Sequence, residues 1–163
     1  MREKNIPKEL ISEWLKYAPM LTCNIVIEEE ERVLLVKRKN DPEKGKWFTP
    51  GGILTKKFQY AFQDARDIVL DETGLLVMIE STPSDMYEEE HDVGYGTTDI
   101  KLMSLIFYAN TLEAHPIPKT NDDHSDIKWF KVEKNPPFKI IHDESDEMGK
   151  YVQDIIYFGL IDK

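Results

Sequence analysis

Trp47-Phe48-Thr49-Pro50-Gly51-Gly52, then a helix-compatible stretch carrying Asp64, Arg66, Asp67, Asp71 and Glu72, then Thr73-Gly74-Leu75: residues 47–75 decide how this chain folds. The double glycine ends a strand. Ala61, Phe62, Ala65, Ile68 and Val69 recur at helical spacing, so 58–72 is predicted to form an amphipathic helix with one buried face. Gly74 supplies its C-cap, and a second apolar strand starts at Leu75. A strand, a tight loop and a carboxylate-bearing helix can hold a hard cation beside a phosphate, because Mg²⁺ and Mn²⁺ take oxygen ligands and share them with phosphate oxygens.

Outward from this stretch the pattern is strand-rich. Residues 21–28 and 33–38 read as strands joined by an acidic turn, and 100–112 as a long apolar strand. Shorter strands are expected at 75–81, 86–90 and 127–132, with a glycine-bearing loop at 91–98. Pro7 opens a short leading helix whose apolar stripe is Leu10, Ile11, Trp14 and Leu15. That stripe covers either its own domain or a second copy of the chain in a homodimer. Residues 144–160 read as a terminal amphipathic helix. The expected architecture is α+β: one domain over 1–163, with a helical extension at 1–18 and a core at 20–160. Its mixed β-sheet is sandwiched between helices (α/β/α).

Charge and cysteine content exclude several classes. Lys+Arg is 21 against Asp+Glu 31, a formal net charge of -10, which does not suit a duplex-binding surface. A small phosphate-bearing substrate remains compatible, since a bound cation reverses the local potential. Cys23 is the single cysteine and reads as a small core residue of a chain in a reducing compartment. No run of 18 apolar residues exists, so a soluble, cytoplasmic protein with no membrane partner is expected.

Asp67 and Asp71 lie four residues apart, hence on one helix face, with Asp64 a turn earlier and Glu72 alongside. Such stacked like charges suit a bound cation; the alternative is a solvated acidic face. His124 sits among Asp122, Asp123 and Asp126, which favour its imidazolium and place it as a general base near neutral pH. The alternative for His124 is a plain surface-loop residue. Arg38 and Arg66 are candidates for bidentate contact with diphosphate oxygens. Trp47, Phe48 and Tyr95 suit either base stacking or the core.

The order strand, Pro-Gly-Gly, acidic helix, Gly, strand resembles the Nudix hydrolase family. Gly52 matches the opening glycine of its box, Arg66-Asp67-Ile68 resembles its Arg-Glu-apolar element, and Asp71-Glu72-Thr73-Gly74-Leu75 its Glu-Glu-any-Gly-apolar end. Phe58 stands where the box has a glutamate, and the span from Arg66 to Gly74 is one residue longer than the family's. The wider pattern is similar to the GDP-mannose mannosyl hydrolase type. It comprises Lys37-Arg38-Lys39-Asn40, the Trp47–Gly52 segment, and Asp122-Asp123-His124-Ser125-Asp126 ahead of Lys128-Trp129.

The resemblance implies a nucleoside diphosphate sugar as substrate and one Mg²⁺ or Mn²⁺ as cofactor. It implies Gly51, Glu72 and Asp123 as metal ligands. Counting back from Gly74 selects Glu72, while counting from Gly52 selects Asp71 instead. It further implies His124 as the base for water attacking the sugar carbon, and Arg38 at the phosphates; the family's arginine after the double glycine is Ile53 here. The same fold also hosts pyrophosphohydrolases of nucleotide sugars or ADP-ribose, and inert nucleotide-binding modules; both remain alternatives.

Overall fold

The computed structural model describes residues 7–41, 43–55, 59–91, 100–161 and 163. In chain order the elements are α1 (Lys8–Trp14), β1 (Met20–Glu29), β2 (Arg32–Arg38), β3 (Trp47–Phe48), β4 (Gly51–Ile53), α2 (Ala61–Thr73), β5 (Val77–Ile79), β6 (Asp85–His91), β7 (Ile100–Thr111), β8 (His124–Glu133), β9 (Lys139–Ile140) and α3 (Val152–Leu160). Phe58, Tyr95 and residues 92–98 of the loop expected at 91–98 lie outside the described residues, while its first residue, His91, ends β6.

β1 is the spine. It pairs parallel with β7 over Met20–Leu102 to Glu28–Asn110, while the other pairings are antiparallel, which makes the sheet mixed. The main path among the described residues is β5-β7-β1-β2-β8-β9. Successive β1 side chains point to opposite faces, as a strand requires. Cys23, Ile25 and Ile27 join Ala65, Ile68 and Val69 of α2 in one core cluster; Val26 joins Val152, Ile155, Ile156 and Leu160 of α3 in another. Each fully buried aliphatic side chain contributes about 1.5–3 kcal/mol. The expected α/β/α sandwich is the one observed.

The feature that builds the site is a split in the sheet. β1 and β2 pair only near their shared turn, at Glu28–Val33 and Glu29–Arg32. Further along they diverge, and residues 47–53 fill the gap. β3 pairs with β2 through Phe48–Val36 and Trp47–Lys37. β4 pairs with β1 through Gly51–Asn24, Gly52–Cys23 and Ile53–Thr22. The sequence suggests a strand over 46–54 interrupted at Pro50-Gly51-Gly52; the structure has two short strands there, on different partners, joined at Thr49-Pro50. Pro50 O accepts the N–H of Ile25 at 2.8 Å, tying the crossing to β1.

Three other expectations are corrected. α2 begins at Ala61 rather than residue 58, with the Gln63 side chain accepting the Tyr60 N–H at 3.3 Å. α3 begins at Val152 rather than residue 144. Tyr151, in the left-handed region at φ 70°, caps α3, and Met148 belongs instead to an extended strap over β3. There Trp47 N–H donates to Glu147 O (2.9 Å), Gly149 N–H donates to Trp47 O (2.8 Å), and Trp47 Nε1–H donates to Asp146 Oδ1 (3.0 Å). Trp47 is 1% exposed and so a core residue, not a stacking platform. β8 begins at His124, three residues before the strand expected at 127. In α1, Ile11 is buried, whereas Leu10 and Trp14 are exposed, as is Tyr17 in the turn after it. Among the described residues no helix is long and apolar enough to cross a membrane.

Candidate active site

The first half of the site hangs on β1. Gly51 approaches it so closely that a Cβ there would stand 2.3 Å from the Cys23 carbonyl oxygen, so only glycine fits. A polar chain beneath it fixes the backbone: Thr49 Oγ1 donates to Asn24 Oδ1 (2.9 Å), Asn24 Nδ2 donates to Ser104 Oγ (2.7 Å), and Ser104 Oγ meets Thr22 Oγ1 (2.7 Å). Ser104 and Thr49 are buried, so each hydroxyl needs such a partner.

α2 delivers its carboxylate to this backbone. Glu72 Oε2 accepts the N–H of Gly51 at 3.1 Å. Gly74, in the left-handed region at φ 69°, ends the helix two residues later, with its N–H on Leu70 O. Consecutive helical residues lie about 100° apart. Asp71 is exposed and lies one such step round the helix, so the carboxylate that meets the Gly51 N–H is the one counted back from Gly74. By the same geometry Arg66 lies about 120° round the helix from Glu72. Arg66 is exposed on the face of Leu70, so the structure does not bring it to the double glycine. Asp64 is not part of a solvated face. It is buried, and its Oδ2 accepts the Thr55 N–H, closing the loop end onto the first turn of the helix.

The second half hangs on β2. Arg38 and His124 are opposite one another across β2 and β8, where a bulge skips Ser125. The Arg38 guanidinium lies 5.4 Å from the centroid of the Phe48 ring, within cation–π range. Asp123 O accepts the N–H of Lys39 at 3.2 Å, anchoring the loop before β8 to the end of β2. His124 Nδ1 is 2.9 Å from Asn121 Oδ1, which also accepts the Asp123 N–H at 3.0 Å. Asn121 did not stand out in the sequence, where the surrounding aspartates drew attention; an amide three residues ahead of a histidine was the only trace.

The donor set accommodates a divalent cation of one kind. Among the described residues no three His, Cys, Asp or Glu side chains converge. Mg²⁺ needs only one or two carboxylates when waters and phosphate oxygens complete its shell. Glu72 beside the Gly51 backbone is a donor set of that size. Behind β3, Asp146 bridges Trp47 and Lys128 (2.8 Å to Lys128 Nζ). The Lys128 ammonium holds its carboxyl below the usual carboxylate range.

The profile of the NUDIX domain matches residues 19–150, most of the chain. The chain is 33% identical over 129 residues to the low-salt glycan biosynthesis protein Agl8 of Haloferax volcanii, covering 76% of each. It is 25% identical over 144 residues to an ADP-ribose pyrophosphatase of Methanocaldococcus jannaschii, covering 87% of this chain and 80% of that one. In fold it is similar to a MutT/nudix family protein from Enterococcus faecalis, with a TM-score of 0.71 at 18% identity, over 99% of this chain and 71% of that one.

Proposed function

The chain belongs to the NUDIX family of hydrolases, and from that premise we propose that it hydrolyses a nucleoside diphosphate sugar, with water attacking the sugar carbon as in a GDP-mannose mannosyl hydrolase. The observation that carries this reading is the pairing of one helix carboxylate, Glu72, with the Gly51 backbone. Attack at phosphorus in this family leans on several box glutamates, and here three of those positions hold Phe58, Asp67 and Asp71. Likeness to a glycan biosynthesis protein supports an activated sugar as substrate.

In this reading Arg38 binds diphosphate oxygens, its guanidinium steadied over Phe48. His124 accepts a proton from the attacking water at Nε2. Gly51 and Glu72, joined by Asp123 on the opposite strand end, are the ligands for Mg²⁺ or Mn²⁺. Such a cation supplies charge neutralisation to the departing nucleoside diphosphate. Arg66, on the outer face of α2, has no part in it.

A second reading, a pyrophosphohydrolase of a nucleotide sugar or of ADP-ribose, is favoured by likeness to the ADP-ribose pyrophosphatase. One experiment separates the two. GDP-mannose, UDP-glucose and ADP-ribose are incubated with the protein and Mg²⁺ or Mn²⁺, and the products are resolved by anion exchange. Nucleoside diphosphate plus free sugar is expected. Nucleoside monophosphate plus a sugar phosphate overturns attack at carbon in favour of attack at phosphorus.

A further inference from the structure

Asn121 makes two contacts through one atom. Its Oδ1 accepts the backbone N–H of Asp123 at 3.0 Å and stands 2.9 Å from His124 Nδ1. A peptide N–H can only donate, so the end of the amide that faces it is the oxygen. That contact fixes the amide orientation. The same oxygen has no proton to give. The ring nitrogen it meets must therefore carry one, and neutral His124 keeps its lone pair on Nε2.

Histidine in water prefers the other tautomer, with its proton on Nε2, which would present a donor to the attacking water. Holding the ring against that preference needs a fixed acceptor. Asn121 Nδ2, in turn, is buried with no hydrogen-bond partner among the described residues. Leaving a buried donor unmatched is unfavourable. The amide is thus held for its oxygen at the expense of its nitrogen.

We propose that Asn121 is a positioning residue that locks His124 in the Nδ1–H tautomer, leaving Nε2 to take the proton of the attacking water. The proposal rests on His124 being the base, as in the reading above. In the step, a water O–H bond breaks as Nε2–H forms, and the water oxygen bonds to the sugar carbon. The bond from that carbon to the diphosphate oxygen breaks, and its electron pair leaves with the nucleoside diphosphate. Nδ1–H is present before and after, so Asn121 accepts the same hydrogen bond throughout and nothing has to reorganise around it. The imidazolium then returns its second proton to solvent.

Ring ¹⁵N–¹H correlation spectra of labelled protein test the lock without reference to turnover. Wild-type His124 is expected to show a protonated Nδ1 and an unprotonated Nε2; the reverse pattern overturns the proposal with no variant needed. Asn121→Ala is expected to shift the pattern towards Nε2–H and to lower kcat on GDP-mannose by about tenfold or more, with KM little changed. Asn121→Asp keeps an acceptor for both N–H groups and is expected to restore the wild-type ring pattern and most of kcat. An unchanged kcat in Asn121→Ala overturns the proposal. His124→Ala then locates the fault: if it is equally active, the reading of His124 as base has failed, and if it is slow, the role given to Asn121 has failed alone.

Discussion

Gly51→Ala puts the split sheet under direct test. The new Cβ would stand 2.3 Å from the Cys23 carbonyl oxygen and 3.3 Å from Asn24 Cα, both main-chain atoms of the central strand. No side-chain rotation relieves such a clash, so β4 must withdraw from β1 by about 1 Å to reach ordinary contact. Withdrawal strains the three β1–β4 residue pairs and carries the Gly51 N–H away from Glu72. Overpacking of this kind costs about 1–3 kcal/mol, and a lost hydrogen bond to a charged group about 1.5–3 kcal/mol. The sum is about 2.5–6 kcal/mol. With an m-value of about 2 kcal/mol/M, the urea midpoint falls by roughly 2 M, and Tm falls by roughly 10 °C. Equilibrium unfolding followed by fluorescence of the three tryptophans reads both. An unchanged m with a lowered midpoint is the expected result. A midpoint within about 0.3 M of wild type would refute the reasoning, because β4 would then have room that the packing denies it.

Glu72→Gln keeps an oxygen for the Gly51 N–H but removes the charge; a Mn²⁺ titration of activity is expected to need about tenfold more cation or beyond, with the unfolding midpoint nearly unmoved. Asp146 has a folded-state pKa below its ordinary 3.8, first through its hydrogen bond from Lys128. Its contribution is complete above that ordinary value and is lost as pH falls through the lower folded one. Asp146→Asn should therefore lower stability at pH 7 and flatten the acid limb of the stability curve below pH 3.8, measured by urea midpoints across pH. Burial, then the hydrogen bond to Glu28, pushes the Tyr108 hydroxyl up to about 12. An absorbance titration should show one of the seven tyrosines ionising last, with stability falling between pH 10 and about 12, because the unfolded chain releases that proton first. A Tyr108→Phe variant that still shows the late ionisation would remove the assignment.

What was legible in the sequence was local. Residues 21–28 read as a strand, which the structure makes the spine, and the helical spacing of Ala65, Ile68 and Val69 with Gly74 gave α2 and the register that turns Glu72 inward. What was not legible depends on partners distant in the chain. Nothing in Trp47–Ile53 says that its first two residues pair with β2 and its last three with β1. The apolar spacing of 144–160 satisfies a helix throughout, but backbone bonds from Trp47 to Glu147 and Gly149 draw its first half into an extended strap. His124 was visible as a residue, whereas its partner was not. Asp122, Asp123 and Asp126 carry charge and so attract notice, but the hydrogen bond goes to the neutral Asn121.

The split between β1 and β2 also bears on how such a site changes by descent. Gly51 and Glu72 are carried by β4 and α2 on the β1 side, while Arg38, Asn121 and His124 are carried on the β2–β8 side. Along the chain between the two halves of the sheet there is the crossing at Thr49-Pro50. A helix can then shed a carboxylate without disturbing the strand that presents the histidine. The loop before that strand can exchange residues without loosening the double glycine. The fold thus divides the proposed site between two strand systems, so substitutions on the β1 side and on the β2–β8 side are expected to act largely independently.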